Sequence, residues 1–100
     1  MIKLSMIYPN TPGKKFDMNY FCEKHMVMVK KLMGDACRGM SVEEGIKGLY
    51  NAPYTAIGSF LFDSGESLLN TVVPLAKEIA LDIPNFTDIT PQIQASIVKI

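Results

Sequence analysis

The sequence contains no tryptophan, one histidine, two cysteines and no net charge. Because ten basic side chains balance ten acidic ones, it lacks the basic surface that binds nucleic acid or an anionic membrane. No apolar run approaches the length of about eighteen residues that a membrane helix needs, and the first residues lack the pattern of a secretory signal. We therefore expect a cytoplasmic protein in which Cys22 and Cys37 are reduced packing residues.

Motifs for common cofactors and nucleophiles are also missing. The sequence has no CxxC, HxH or HExxH, and a single histidine cannot build a usual zinc site. Neither a G-x-G-x-x-G, a P-loop nor a G-x-S-x-G elbow occurs. We predict no metal and no cofactor, so any catalysis would depend on ordinary acid–base side chains.

The apolar content is ample for one domain spanning residues 1–100, since 48% of the residues are hydrophobic and 20% are charged. Alternating apolar residues predict strands over 2–8, 36–47 and 54–62, and a last strand around 93–97.

Helical periodicity predicts two helices between these strands. The first begins at Asp17, a good N-cap, and ends near Met33. The second begins at a capping box formed by Asp63 and Glu66, and Pro74 should kink or break it.

The resulting order β-α-β-β-α-β predicts an α+β, ferredoxin-like fold, in which a four-stranded antiparallel sheet carries two helices on one face. The central strand places Ile57 and Leu61 on the other face, where a solvated sheet would be polar. We therefore expect a homodimer packed through the sheet face. The alternative is a monomer whose own loops cover that face.

His25 is the most informative residue, because its unperturbed pKa lies near neutrality and it falls within an apolar helical stripe. The stripe consists of Met18, Phe21, Cys22, Met28, Val29 and Leu32. A polar ring there either hydrogen-bonds within a core or lines a cavity. Asp17 cannot orient it, since eight residues separate them by about 12 Å along a helix; the candidate partners are Tyr8, Asp88 and Gln94.

Three stretches of the chain, together with Tyr8-Pro9-Asn10, resemble the EthD family. They are Phe16-Asp17-Met18-Asn19-Tyr20 with His25-Met26, Pro53–Gly58 through Phe62-Asp63-Ser64, and Asp82–Ile89 with Pro91 and Gln94. The resemblance implies a dimeric α+β barrel and a role in bacterial small-molecule catabolism, such as the degradation of ethyl tert-butyl ether. It also implies that His25 lines a cleft with Tyr8, Asp17, Phe86 and Asp88 nearby.

Three hypotheses remain open from the sequence. The first is a cofactor-free enzyme that binds or transforms a small hydrophobic metabolite, as the monooxygenases, lyases and cyclases of the wider barrel superfamily do. His25 would be its acid–base group, with Tyr8 or Asp88 assisting. Its substrate-binding residues would be Asp17, Phe21, Tyr54, Phe86 and Gln94. The second is a non-catalytic accessory dimer that binds such a metabolite. The third is a structural dimer with a buried, hydrogen-bonded histidine.

Overall fold

One antiparallel sheet organises the chain, and the computed structural model describes all of residues 1–100. Its strands are β1 (Ile2–Pro9), β2 (Gly39–Glu44), β3 (Tyr54–Phe62) and β4 (Gln92–Ile97), in the order β2-β3-β1-β4. Together with two helical regions on one face, this is the predicted ferredoxin-like α+β fold. The prediction for β3 matches its observed bounds, whereas β2 is shorter than the predicted 36–47.

The sheet register separates a helix-covered face from an outer face. Leu4 pairs with Phe60 and Tyr8 with Ala56, and all four are buried beneath the helices. The residues between them along β1 and β3 point the other way, because side chains alternate across a strand. The core therefore lies between the sheet and the helices.

The first helical region, α1, is interrupted by a π-helical turn. It runs through Met18–Tyr20, the π-helical segment Phe21–His25 and the α-helix Met26–Met33, and a 3₁₀ turn, Gly34–Ala36, follows. As predicted, Asp17 caps its start by accepting a hydrogen bond from the backbone N–H of Tyr20 at 3.0 Å. Gly34 ends it with φ of 62°, a conformation that glycine adopts without strain.

The π-helical turn changes which residues face the core. Within it, the backbone N–H of Met26 bonds to the carbonyl of Phe21, five residues earlier. The extra residue rotates the following helix, so that Met26 and Met33 are buried while Leu32 is 38% exposed. The predicted stripe, which placed Leu32 with His25, is wrong at that position because it assumed an uninterrupted α-helical period.

The second helical region, α2, is built from alternating α and 3₁₀ turns. They are Gly65–Val72, Val73–Leu75, Ala76–Asp82 and Ile83–Asn85. The predicted break at Pro74 is confirmed, since Pro74 lies within the 3₁₀ turn. The predicted capping box is wrong: the N-cap is Ser64, whose hydroxyl accepts from the N–H of Ser67 at 3.1 Å, while Asp63 pairs with Arg38 at 3.0 Å.

Gly58 allows α1 to approach β3 closely. A Cβ atom at this position would lie 2.8 Å from the ring of Phe21 and 3.1 Å from the methyl group of Met26. Both neighbours are fully buried, so they have little room to move. The absence of a side chain at Gly58 therefore fixes how closely the π-helical turn lies on the sheet.

The structure also bears on the cysteines and on possible membrane-spanning helices. Cys22 and Cys37 are free thiols, one half-buried and one buried, as expected. No helix is long or apolar enough to cross a membrane.

Candidate active site

His25 is the last residue of the π-helical segment, and its side chain is 4% exposed. The ring stacks on Phe21, with centroids 5.9 Å apart, and lies 4.5 Å from the ring of Phe86. Phe86 is held there because its carbonyl accepts from the N–H of Asp17 at 2.7 Å, beside a bridge between Phe16 and Thr87. Two buried aromatic rings thus fix the orientation of the imidazole.

The hydrogen-bond partner of His25 is Asp82, near the C-terminal end of α2. The Nδ1 atom of His25 lies 2.8 Å from Oδ2 of Asp82. The other carboxylate oxygen, Oδ1, accepts from the hydroxyl of Tyr20 at 2.7 Å and from the side-chain amide of Asn85 at 2.9 Å. The carboxylate therefore joins α1 to α2 through the bonds from His25 and Tyr20, while the bond from Asn85 lies within α2.

These hydrogen bonds keep Asp82 ionised. Desolvation acts to raise the pKa of Asp82, but the hydrogen bonds from Asn85, Tyr20 and His25 outweigh it and hold this pKa below its ordinary value. The hydrogen bond to Asp82 raises the pKa of the Tyr20 hydroxyl, so Tyr20 remains a donor. An ionised carboxylate only accepts hydrogen bonds, so Nδ1 of His25 carries the proton that it donates, and the Nε2 lone pair of the neutral ring is free.

A cleft of about 310 Å³ lies between the two helical regions, β1 and β4, and both His25 and Tyr8 line it. The remaining lining is apolar and includes Leu4, Met6, Val29, Phe60, Ile79 and Ile93. On the α2–β4 side, the exposed residues Ala80 and Ile93 form part of the wall, so the cleft is open to solvent there.

Tyr8 supplies the second polar group of the cleft. Tyr8 is 1% exposed, and its hydroxyl forms no hydrogen bond within the protein. No side-chain nitrogen or oxygen atom is both buried and without a partner. The Tyr8 hydroxyl and Nε2 of His25 have no partner in the protein, so neither atom is fully buried. The open space next to both side chains is the cleft. Desolvation raises the pKa of Tyr8 to about 12, so it stays a neutral hydroxyl.

Some of the residues suggested by the sequence therefore come together. Tyr8 lines the same cleft as His25, and Phe21 and Phe86 pack against the imidazole ring. Asp17 does not line the cleft; it caps α1 and anchors Phe86 through its backbone.

Three other suggested residues lie apart from the cleft. The carboxylate of Asp88 is exposed and accepts from the backbone N–H of Lys15 at 2.9 Å. Tyr54 begins β3 opposite Pro9, at the end of the sheet. Gln94 lies on the outer face of β4 and donates to the hydroxyl of Ser96 at 2.9 Å.

The sequence reasoning missed Asp82, together with Tyr20 and Asn85, which hold it. One signal was available: a carboxylate in the last turn of a helix faces the negative end of the helix dipole. A carboxylate in that unfavourable position indicates compensating donors nearby. Asn85, three residues further on, provides one of them.

The sheet with helices on one face, and an apolar cleft beneath them, defines a ferredoxin-like α+β protein. No protein-family model and no curated protein matches the chain. Among solved structures, an EthD-like protein of Ralstonia eutropha JMP134 is 37% identical, with a TM-score of 0.90 over 99% of this chain and 92% of that one. The chain belongs to the EthD family.

More distant structures share the fold. An EthD-family protein of Bacillus halodurans C-125 is 14% identical, covers 98% of each chain and has a TM-score of 0.69. A proposed antibiotic biosynthesis monooxygenase of Bordetella bronchiseptica is also 14% identical, over 99% of this chain and 97% of that one, with a TM-score of 0.66.

Proposed function

We propose that the protein binds a small hydrophobic molecule in the cleft and that His25 transfers a proton to or from it without a cofactor. The observation that carries the proposal is the 2.8 Å bond between Nδ1 of His25 and Asp82. This bond uses one ring nitrogen and leaves Nε2 free beside the cleft. A histidine that served the core alone would need no open space at its second nitrogen.

The cleft has the character of a ligand site. Its volume of about 310 Å³ lies at the lower end of the range of ligand pockets, which are mostly apolar with a few polar groups. Removing a small apolar molecule from water into it is favourable by about 25 cal/mol for each Å² of apolar surface buried. The apolar lining provides affinity, while His25 and Tyr8 provide orientation.

In this proposal, Asp82 is a positioning residue. Its carboxylate holds the proton on Nδ1, so the lone pair of Nε2 is available to a ligand proton. It also stabilises the imidazolium that forms when Nε2 accepts that proton. The three hydrogen bonds on Asp82 restrict its movement, and this in turn fixes the imidazole plane.

We place this chemistry in the catabolism of small molecules. Membership of the EthD family and the apolar cleft support that role. A proton transfer at the cleft would prepare such a compound for cleavage or rearrangement, and it requires no group beyond the side chains of the chain.

We also propose that the protein forms a homodimer through the outer face of its sheet. Ile7, Ile57 and Leu61 lie there, half-buried, and a second sheet would remove them from water. Sedimentation velocity at micromolar concentration should give twice the chain mass of 11.1 kDa. Leu61→Lys should give the single-chain mass, whereas Leu69→Lys, an exposed leucine on α2, should not; a single-chain mass for the unmodified protein would refute the dimer.

Turnover and binding can be separated with His25→Asn. Asparagine retains a donor near Nδ1 for Asp82 but lacks any atom at the position of Nε2. A library of small uncharged metabolites is screened for turnover and for a rise in the melting temperature, with the unmodified protein and this variant side by side. We expect ligands that stabilise both proteins and are converted only by the unmodified protein.

Three outcomes of this screen would each be informative. Conversion that persists in His25→Asn would refute His25 as the acid–base group. Stabilisation of both proteins with conversion by neither would leave a non-catalytic binding protein, the second hypothesis from the sequence. Absence of any stabilising ligand would remove the binding proposal itself.

A further inference from the structure

Two polar atoms on buried side chains face the open cleft without a partner in the protein, and they differ in chemistry. Nε2 of His25 carries a lone pair when the ring is neutral, whereas the hydroxyl of Tyr8 has a proton to donate. Both side chains are more than nine-tenths buried. An occupant that displaces water from the cleft would leave each atom unsatisfied unless it supplied a complementary group, so the two atoms together define the polar groups that such an occupant should carry.

The hydroxyl of Tyr8 is suited to donate to an oxygen atom. It forms no hydrogen bond within the protein, and burial raises the pKa of Tyr8 to about 12, so its proton is retained through the neutral range. The rings of Phe16, Phe21 and Phe86 surround it, with centroids 5.0, 5.4 and 5.9 Å from that of Tyr8. These rings hold Tyr8 in place and supply no competing acceptor.

The charges around the cleft disfavour an anionic occupant. No lysine or arginine lines it, and the carboxylate that bonds to His25, that of Asp82, is negative. A carboxylate ligand would lose its hydration on entering an apolar cleft and would gain no cation. The cleft therefore favours an uncharged occupant.

From these observations we infer that the cleft takes an uncharged carbonyl compound, whose oxygen accepts a hydrogen bond from Tyr8 and whose remaining frame is apolar. This inference rests on the proposed function only for the proton transfer. In that step, the C–H bond next to the carbonyl breaks and its proton bonds to Nε2 of His25. The electron pair forms the C=C bond of an enolate, whose negative oxygen stays bonded to Tyr8. Return of the proton from Nε2 to carbon completes the exchange.

Matched probes test the class of ligand. Acetophenone carries a carbonyl oxygen where α-methylstyrene carries a CH₂ group of similar shape, and benzoate carries a charge. Affinities are measured by NMR titration of the unmodified protein. We expect acetophenone to bind about three- to tenfold more tightly than α-methylstyrene, the range for one neutral hydrogen bond, and benzoate to bind more weakly than acetophenone.

Two tyrosine variants assign the preference to one hydroxyl. In Tyr8→Phe, the two neutral probes should bind with similar affinity. The control, Tyr20→Phe, removes a hydroxyl that bonds to Asp82 outside the cleft, and it should retain the preference. Exchange of the methyl protons of acetophenone with D₂O reports on His25 separately, because it should disappear in His25→Asn.

The outcomes distinguish the inference from the proposed function. Equal binding of the two neutral probes, a preference that survives in Tyr8→Phe, or tighter binding of benzoate would each overturn the carbonyl inference. A Tyr8-dependent preference without proton exchange would support the ligand class and refute proton transfer by His25. Proton exchange that depends on His25, without a preference for the ketone, would support proton transfer by His25 and refute the carbonyl inference. Failure of every probe to bind would overturn both.

Discussion

Substituting Asp82 by asparagine tests how strongly this side chain joins the two helical regions. Asparagine has nearly the same shape, but it carries no charge and replaces one acceptor oxygen with a donor group. Three donors point at the carboxylate: the Tyr20 hydroxyl, Nδ1 of His25 and the Asn85 amide, at 2.7, 2.8 and 2.9 Å. Asp82→Asn weakens all three hydrogen bonds and leaves one of the donors facing a donor.

The expected effect follows from the difference between charged and neutral hydrogen bonds. A bond to a charged group contributes about 1.5–3 kcal/mol and a neutral one about 0.5–1.5 kcal/mol. The side chain of Asp82 is 15% exposed, so solvent screens it only in part, and Tyr20 and Asn85 regain water on losing it. We expect the free energy of unfolding at pH 7 to fall by about 1–3 kcal/mol.

The pH dependence provides an independent check. Because the pKa of Asp82 in the folded protein lies below its ordinary value of 3.8, its ionisation stabilises the fold. That contribution is fully present above pH 3.8 and is lost as the pH falls through the lower folded value. Urea unfolding followed by circular dichroism should therefore show a difference between the two proteins that shrinks as the pH falls below 3.8.

Asp88→Asn is the matched control, since its exposed carboxylate accepts one bond from a backbone N–H. We expect it to change the free energy of unfolding by less than about 1 kcal/mol. Equal stability of Asp82→Asn and the unmodified protein at pH 7, or a difference that does not change with pH, would refute the account of Asp82.

Two substitutions test the fold itself. Gly58→Ala should lower the free energy of unfolding by about 1–3 kcal/mol through overpacking against Phe21, measured by urea denaturation; unchanged stability would show that α1 moves freely. Ser64→Ala should lower it by about 1 kcal/mol by removing the N-cap of α2. In the same assay, Asp63→Ala should lower the free energy of unfolding by less, because it breaks only an exposed ion pair with Arg38. A larger loss for Asp63→Ala than for Ser64→Ala would identify Asp63 as the cap.

The sequence predicted the elements that depend on local patterns. β3 was predictable because its residues are apolar on both faces of the sheet. The helix start at Asp17 and the helix break at Pro74 were predictable because each of these residues acts on the backbone directly beside it. The cap of α2 was misplaced by one residue, because Asp63 and Ser64 are both good N-caps. In the structure Ser64 is the cap, and Asp63 pairs instead with Arg38, which is remote in sequence.

The candidate site was less predictable, because it depends on contacts between remote residues. A histidine on an apolar stripe indicates either a core or a cleft. The stripe also assumes an uninterrupted α-helical period, which the π-helical turn breaks. Asp82 lies 57 residues from His25, and only the packing of α2 against α1 brings the two together. Tyr8 was identifiable because it ends an alternating strand on the helix-covered face.

The central claim is that Asp82 holds the proton of His25 on Nδ1 and leaves Nε2 free beside the cleft. Long-range ¹H–¹⁵N correlation NMR measures this directly, and the single histidine of the chain gives one unambiguous pair of ring nitrogens. We predict that the neutral ring is protonated at Nδ1 and that the Nε2 resonance, more than that of Nδ1, shifts when acetophenone is added. A neutral ring protonated at Nε2, or an Nε2 resonance that does not respond to any cleft ligand, would contradict the account.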